Sequence, residues 1–260
     1  MKAFFTIFVG FICLVLLILG NLHWQKKIEI TGDGSSYHAT AVNDDETEAF
    51  AQTDPLMEHA ANWSEGEKQQ FQTALAENRP YHILIVGSEQ LGEGETSWTA
   101  LFQNDLLATY GEQAMTIETT TYSETTAEFV SAGKQAEWAA KQADLIIWEP
   151  FVLTDNAVVP IEESHEYITT VMNEVKAANP NITFILQPPN PLYQPKLYRT
   201  QVEELKSFAE ENNILYLDHW TSWPDPMSEQ VRNYLNEDNQ PNEEGHRVWA
   251  EFFIQRFIVQ

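Results

Sequence analysis

The chain has 260 residues, 43% of them hydrophobic, enough for one sizeable globular domain with additions. Its 39 acidic residues against 14 basic ones give a formal charge of −25, which repels phosphate backbones and leaves no basic stripe, so nucleic acid is not an expected partner. Such an excess reads as a solvated surface suited to saline or alkaline surroundings rather than a device for a cationic substrate.

Ala3 to Gly20 is almost unbroken apolar sequence, long enough to span a bilayer core of about 30 Å at about 1.5 Å per residue. Residues 1–24 are therefore expected to be a membrane anchor or signal segment. Leu19 and Ile18 before Gly20 make a poor cleavage site, which favours an uncleaved anchor. Phe11 and Ile12 before Cys13 argue against lipidation, and Lys2 against Lys26 and Lys27 leaves the orientation open. Residues 25–62 are acidic, rich in Gly, Ser and Thr and without periodicity, which predicts a flexible linker.

The folded domain is expected at 63–260. Ser64-Glu65-Gly66-Glu67 is a capping-box pattern with Phe71 and Leu75 behind it, predicting a helix to about Asn78. Tyr81 to Val86 is an apolar run ending in Gly87-Ser88, as expected of a strand buried on both faces. Trp98, Leu101, Phe102 and Leu106 give a helix, and Thr116 to Tyr122 a second strand. Phe129, Ala132, Ala136 and Ala140 predict one helix, and Asp144 to Glu149 a third strand. A helix through Tyr167, Val171 and Val175 stops at Asn179-Pro180 and precedes the strand Ile182 to Gln187. Leu197 to Asn212, Ile214 to Leu217 and Asn242 to Phe257 complete the order as helix, strand and helix. Alternation of apolar strands with helices predicts an α/β fold, a three-layer α/β/α sandwich on a flavodoxin-like five-stranded parallel sheet.

In such folds chemistry sits at the strand C-termini. The loops there carry Gly87, Ser88 and Glu89; Ser123 to Thr126; Pro150 to Asn156; Pro188 to Pro191 with Asn190; Asp218-His219-Trp220; and Glu237 to His246. A hydroxyl, amides, carboxylates and two histidines are the ingredients of acyl transfer. Ser88 reads equally as a helix cap, and His219 and His246 as packing residues. No dinucleotide or P-loop pattern follows a strand, and the histidines stand singly, so neither cofactor nor metal is expected.

Gly-Ser after the first strand, Asp-Leu-Ile-Ile-Trp-Glu-Pro from Asp144, Ile-Leu-Gln-Pro-Pro-Asn-Pro from Ile185 and Pro-Asn-Glu-Glu-Gly-His from Pro241 together resemble the SGNH, or GDSL-type, hydrolases over roughly Tyr81 to Phe257. The resemblance implies an SGNH hydrolase fold without cofactor, and a serine hydrolase of esters, lipid esters or sugar O-acetyl groups. The substrate would be a small ester or an acetylated glycan, and the domain would be extracellular, held by its N-terminal segment, or secreted. Aligned without a gap, the family's nucleophile falls on Glu89, and a one-residue slip restores Ser88. The family's Asp-x-x-His falls on Glu237 and Gln240, which leaves His246 or His219 as base and Glu237 or Asp238 as its orienting carboxylate. Gly87, Glu89, Ser123, Asn156 and Asn190 are the expected oxyanion or substrate contacts, and Trp98, Tyr193 and Trp223 could line a sugar site. Because these departures fall together, the rival expectation is a domain that keeps the fold and has lost the triad, serving in binding or as a scaffold.

Overall fold

The computed structural model describes residues 55–259. The expected membrane segment and residues 25–54 of the expected linker lie outside the described residues. Among the described residues no helix is long and apolar enough to cross a membrane.

Five parallel strands, β1 (Tyr81–Ser88), β2 (Met115–Tyr122), β3 (Leu145–Trp148), β4 (Thr183–Leu186) and β5 (Leu215–Tyr216), form one sheet in the order β2-β1-β3-β4-β5. The order reverses beside β1, which places the first strand's C-terminal end at the topological switch point. The helices are α1 (Pro55–His59), α2 (Glu65–Ala76), α3 (Trp98–Tyr110), α4 (Thr126–Ser131), α5 (Gln135–Lys141), α6 (Val152–Asp155), α7 (Ile161–Ala178), α8 (Lys196–Glu211) and α9 (Glu243–Phe257). Strand alternation divides the core. Ile83, Ile85, Leu145 and Ile147 pack with Phe71, Phe102, Trp249 and Phe253 of α2, α3 and α9. Leu84, Val86, Ile146 and Trp148 pack with Phe129, Trp138, Val171 and Leu205 of α4, α5, α7 and α8. Each such fully buried side chain contributes about 1.5–3 kcal/mol.

The capping box forms as its spacing predicts. Ser64 Oγ accepts the Glu67 amide at 3.3 Å, and the Glu67 carboxylate takes the Ser64 amide at 2.8 Å. That carboxylate is fully buried and also bonds Arg256 at 2.8 Å, joining α2 to the end of α9.

Two expectations change. The stretch expected as linker is already folded at its end. Pro55–His59 is helical, His59 Nδ1 contacts the Val259 carbonyl at 2.8 Å, and the Trp63 indole donates to Phe257 O at 2.9 Å. The expected helix through Phe129 and Ala140 is two, because Gly133 adopts φ +69° and turns the chain between α4 and α5.

Candidate active site

At the switch point, register sets the first contact. Val86 pairs with Trp148, and the Glu149 amide continues the ladder onto Val86 O at 2.9 Å, so Gly87 and Glu149 are side by side on the α9 face. A Cβ at Gly87 would lie 2.9 Å from both Cβ and Oε2 of Glu149, so glycine is what lets the carboxyl reach across the strand end. The Ser88 amide donates to Glu149 Oε2 at 2.7 Å, which sets Ser88 directly against this carboxyl. Complete burial raises the Glu149 pKa to about 7, against the pull of the Ser88 bonds, and Asp155 adds to the rise.

Ser88 is only 3% exposed, and its Oγ accepts the Gln90 amide at 3.3 Å as the cap of a short turn, Glu89–Leu91. Glu89, the ungapped nucleophile position, is exposed to solvent. Both readings of Ser88 thus meet in one residue, which caps the turn and faces a carboxyl.

The histidines are placed otherwise than a serine triad requires. His219 is fully buried and stacked on Trp249 with centroids 4.2 Å apart. Its Nδ1 accepts the Trp223 indole N–H at 3.0 Å, so the proton resides on Nε2, which donates to Pro188 O at 2.9 Å. Both nitrogens are consumed, burial lowers the pKa to about 3, and His219 is therefore not a base for Ser88. His246, one turn into α9, packs against Gly92, where any Cβ would overlap the imidazole. Its Nδ1 is buried without a partner, and burial lowers its pKa to about 4. Among the described residues neither imidazole hydrogen-bonds Ser88.

Gln240, at the base position, is held by its backbone, which exchanges bonds with Asn236 at 2.9 Å. Glu237 and Asp238 lie exposed on the same turn, and among the described residues neither forms an ion pair with His219 or His246. Asn190 is fully buried and donates to Pro191 O and Asn239 O at 3.2 and 3.1 Å, so its amide is spent on holding that turn. Ser123 is exposed. Asn156 follows α6 with its carbonyl buried and unpartnered.

The third loop is built on Asp155, whose carboxylate takes the Thr126 amide at 2.8 Å, the Thr126 hydroxyl at 2.5 Å and the Ser164 hydroxyl at 2.8 Å. Burial raises the Asp155 pKa while those bonds hold it down. The aromatic candidates divide. Trp98 is buried and stacked on Trp249, and Trp223 is buried and bonded to His219, so both are core rather than sugar platforms. Tyr193 lies under the Arg232 guanidinium, 4.5 Å away, beside a cavity of about 320 Å³ that Glu237 and Asn239 also line.

Glu149 is the site residue missing from the sequence reading. The signal for it is a carboxylate immediately after an apolar strand, where the register sets it against the first strand's glycine. Gln187, next in the same row, is fully buried with its Oε1 accepting the Trp249 indole at 2.9 Å.

No family profile matches the sequence, and no curated protein matches it. Among solved structures it is similar to a lipolytic protein of the G-D-S-L family from Desulfitobacterium hafniense, at 22% identity and a TM-score of 0.55 over 68% of this chain and 99% of that one. It is similar to the acetylxylan esterase Axe2 of Geobacillus stearothermophilus, at 18% identity and a TM-score of 0.56 over 70% and 96%. A GDSL-like lipase of Parabacteroides merdae matches at 12% identity and a TM-score of 0.58 over 69% and 96%. At these identities the likeness establishes the fold, that of the GDSL-type hydrolases.

Proposed function

We propose that this chain, which carries the SGNH hydrolase fold, is an acyl-ester hydrolase in which Ser88 and Glu149 take the place of the family's serine and histidine. The observation that carries the reading is the contact between Ser88 and a buried carboxyl with a pKa of about 7, at the sheet's switch point. In the ionised form Glu149 takes the Ser88 hydroxyl proton as Oγ bonds to the acyl carbon. It returns that proton to the departing alcohol as the C–O bond breaks. Water then attacks the acyl-serine, gives a proton to Glu149 and releases the acid, with the proton passing back to Oγ. The Asn156 side chain makes no hydrogen bond among the described residues, and its amide serves as the oxyanion donor.

The substrates this reading implies are small esters and O-acetyl groups on glycans, as for the acetylxylan esterase among the structural neighbours. The apolar residues 1–24 would hold the enzyme at the cell envelope with the domain outside, a placement checked by fractionation and protease accessibility on intact cells.

A second reading has its own support. Gln240 stands where a base belongs and both nitrogens of His219 are consumed, which suits a domain that binds ligand without turning it over. Hydrolysis of aryl acetate and acetylated xylan separates the two. Turnover that falls on the order of 10²–10⁴-fold in Glu149→Gln and is lost in Ser88→Ala, with folding intact, supports the esterase. Absence of turnover across an ester panel supports the binding domain, and turnover indifferent to both substitutions defeats the Ser88–Glu149 pairing.

A further inference from the structure

The sheet's other end carries a second polar site. Near the N-terminal ends of β1, β3 and β4 a cavity of about 510 Å³, within the range of about 300–1,000 Å³ typical of ligand sites, is lined by the carboxamides Gln69, Gln70, Gln142, Asn179 and Asn181. An ion pair forms part of its wall. Arg79 bonds both oxygens of Asp144 at 2.7 and 2.9 Å, and the His82 amide fills the same carboxylate at 2.8 Å.

Three of the amides are oriented by the bonds they make. Gln70 Nε2 donates to Thr183 Oγ1 at 3.2 Å and to Asn181 O, Gln142 Nε2 to Ala139 O at 2.7 Å, and Asn179 Nδ2 to Ala143 O at 2.8 Å. Gln70 thereby spends both of its N–H groups, and its Oε1 is buried with no partner at all, while Gln142 and Asn179 each keep one N–H beside an oxygen that makes no bond among the described residues. Gln69 and Asn181 make no side-chain bond among the described residues and retain donors as well as acceptors.

We infer that this cavity binds a neutral, hydroxyl-rich ligand, a sugar residue of a glycan, at a site separate from Ser88. The chemistry eliminates the other classes. A cation has no free carboxylate to meet, because Asp144 is saturated by Arg79 and His82. An anion faces amide oxygens within a molecule of charge −25. An apolar ligand would strip water from five carboxamides without replacing their bonds. A sugar hydroxyl donates to an amide oxygen and accepts from the Gln69 or Asn181 NH₂, which is the pairing the wall offers. No aromatic ring lines the cavity among the described residues, so binding rests on hydrogen bonds and is weak, with Kd on the order of 1 mM.

The test is titration of the full chain with xylotriose, cellotriose and the matching monosaccharides, followed by amide NMR shifts or calorimetry. Saturable binding of an oligosaccharide or a monosaccharide is expected, unchanged by added NaCl. It should weaken at least tenfold in the double variant Gln69→Ala and Gln142→Ala, whose exposed side chains are not required for folding, and turnover of aryl acetate should be unaltered. Stronger binding of the oligosaccharide identifies a polymer as the ligand, and equal binding a free sugar. No saturable binding by any of these sugars at millimolar concentration overturns the inference. So does sugar binding that the double variant leaves intact, which would place the ligand elsewhere. These outcomes are independent of whether Ser88 and Glu149 hydrolyse esters.

Discussion

Glu149 ties activity and stability to pH in opposite senses. Its pKa rises from 4.5 to about 7 on folding, chiefly by burial, so the folded protein holds a proton that the unfolded chain releases between those values. Stability from this group is therefore full below about pH 4.5 and declines as pH rises to 7, by about 3 kcal/mol in all. Ester turnover should rise over the upper part of the same range, with an apparent pKa near 7. Glu149→Gln should flatten both profiles, losing turnover while gaining resistance to urea at pH 8, and urea melts at pH 5.5 and 8 check this. His219 and His246 work the other way. Their folded pKa values of about 3 and 4 lie below the usual 6.5, so their contribution is present above pH 6.5 and is lost as pH falls. Phe151 is a different kind of strained residue, fully buried and left-handed at φ +51° between β3 and α6. Phe151→Ala should cost about 3–5 kcal/mol through the cavity left among Tyr122, Phe129 and Trp148. Phe151→Gly should differ little from it, because relief at the backbone offsets glycine's added freedom in the unfolded chain. Equal stability of wild type and Phe151→Ala would show that the ring is not a core contact.

At the scale of elements, legibility followed the range of the interaction that decides each one. The Ser64 capping box and the apolar strands are specified within a few neighbouring residues, and they form where the spacing puts them. Gly133 splitting a helix, and α1 folding inside an acidic stretch, depend on what those segments pack against. The site was legible in its loops but not in its pairings. His219 beside Trp220 says nothing of Pro188 O or the Trp223 indole, which arrive from other segments and settle its role. Glu149 reads as a strand end until the register sets it beside Gly87. The Pro241-Asn242 segment likewise matters first as architecture. Asn242 caps α9 by accepting the Gly245 amide at 3.0 Å, and its NH₂ donates to Asn233 O at 2.9 Å and Leu235 O at 3.3 Å. Asn242→Ala should cost about 2 kcal/mol or more, read as a lower urea midpoint, since it removes a cap and leaves two carbonyls unpaired. Asn242→Asp should recover the cap bond and leave the carbonyls unsatisfied, so it should fall between the two.

At the scale of the whole molecule, the chain carries a charge of −25, and among the described residues most cations are committed to ion pairs such as Arg79 with Asp144 and Arg247 with Glu244. The remaining repulsion between carboxylates opposes compaction. Melting temperature should rise as NaCl is raised from low to physiological strength, where the Debye length falls from about 30 Å to about 8 Å, and a melting temperature that falls instead would contradict this. The junction of Glu67 with Arg256 has a further consequence for the order in which the chain can fold. Glu67 is complete only when a residue 189 positions later has been made, and Trp63 awaits the Phe257 carbonyl in the same way. On the ribosome, α2 therefore emerges with a carboxylate it cannot bury and an aromatic face it cannot cover until α9 has been made and has emerged. Nascent chains stalled before α9 should be cut by protease around residues 63–76, and protection should appear in a single step once α9 has cleared the exit tunnel.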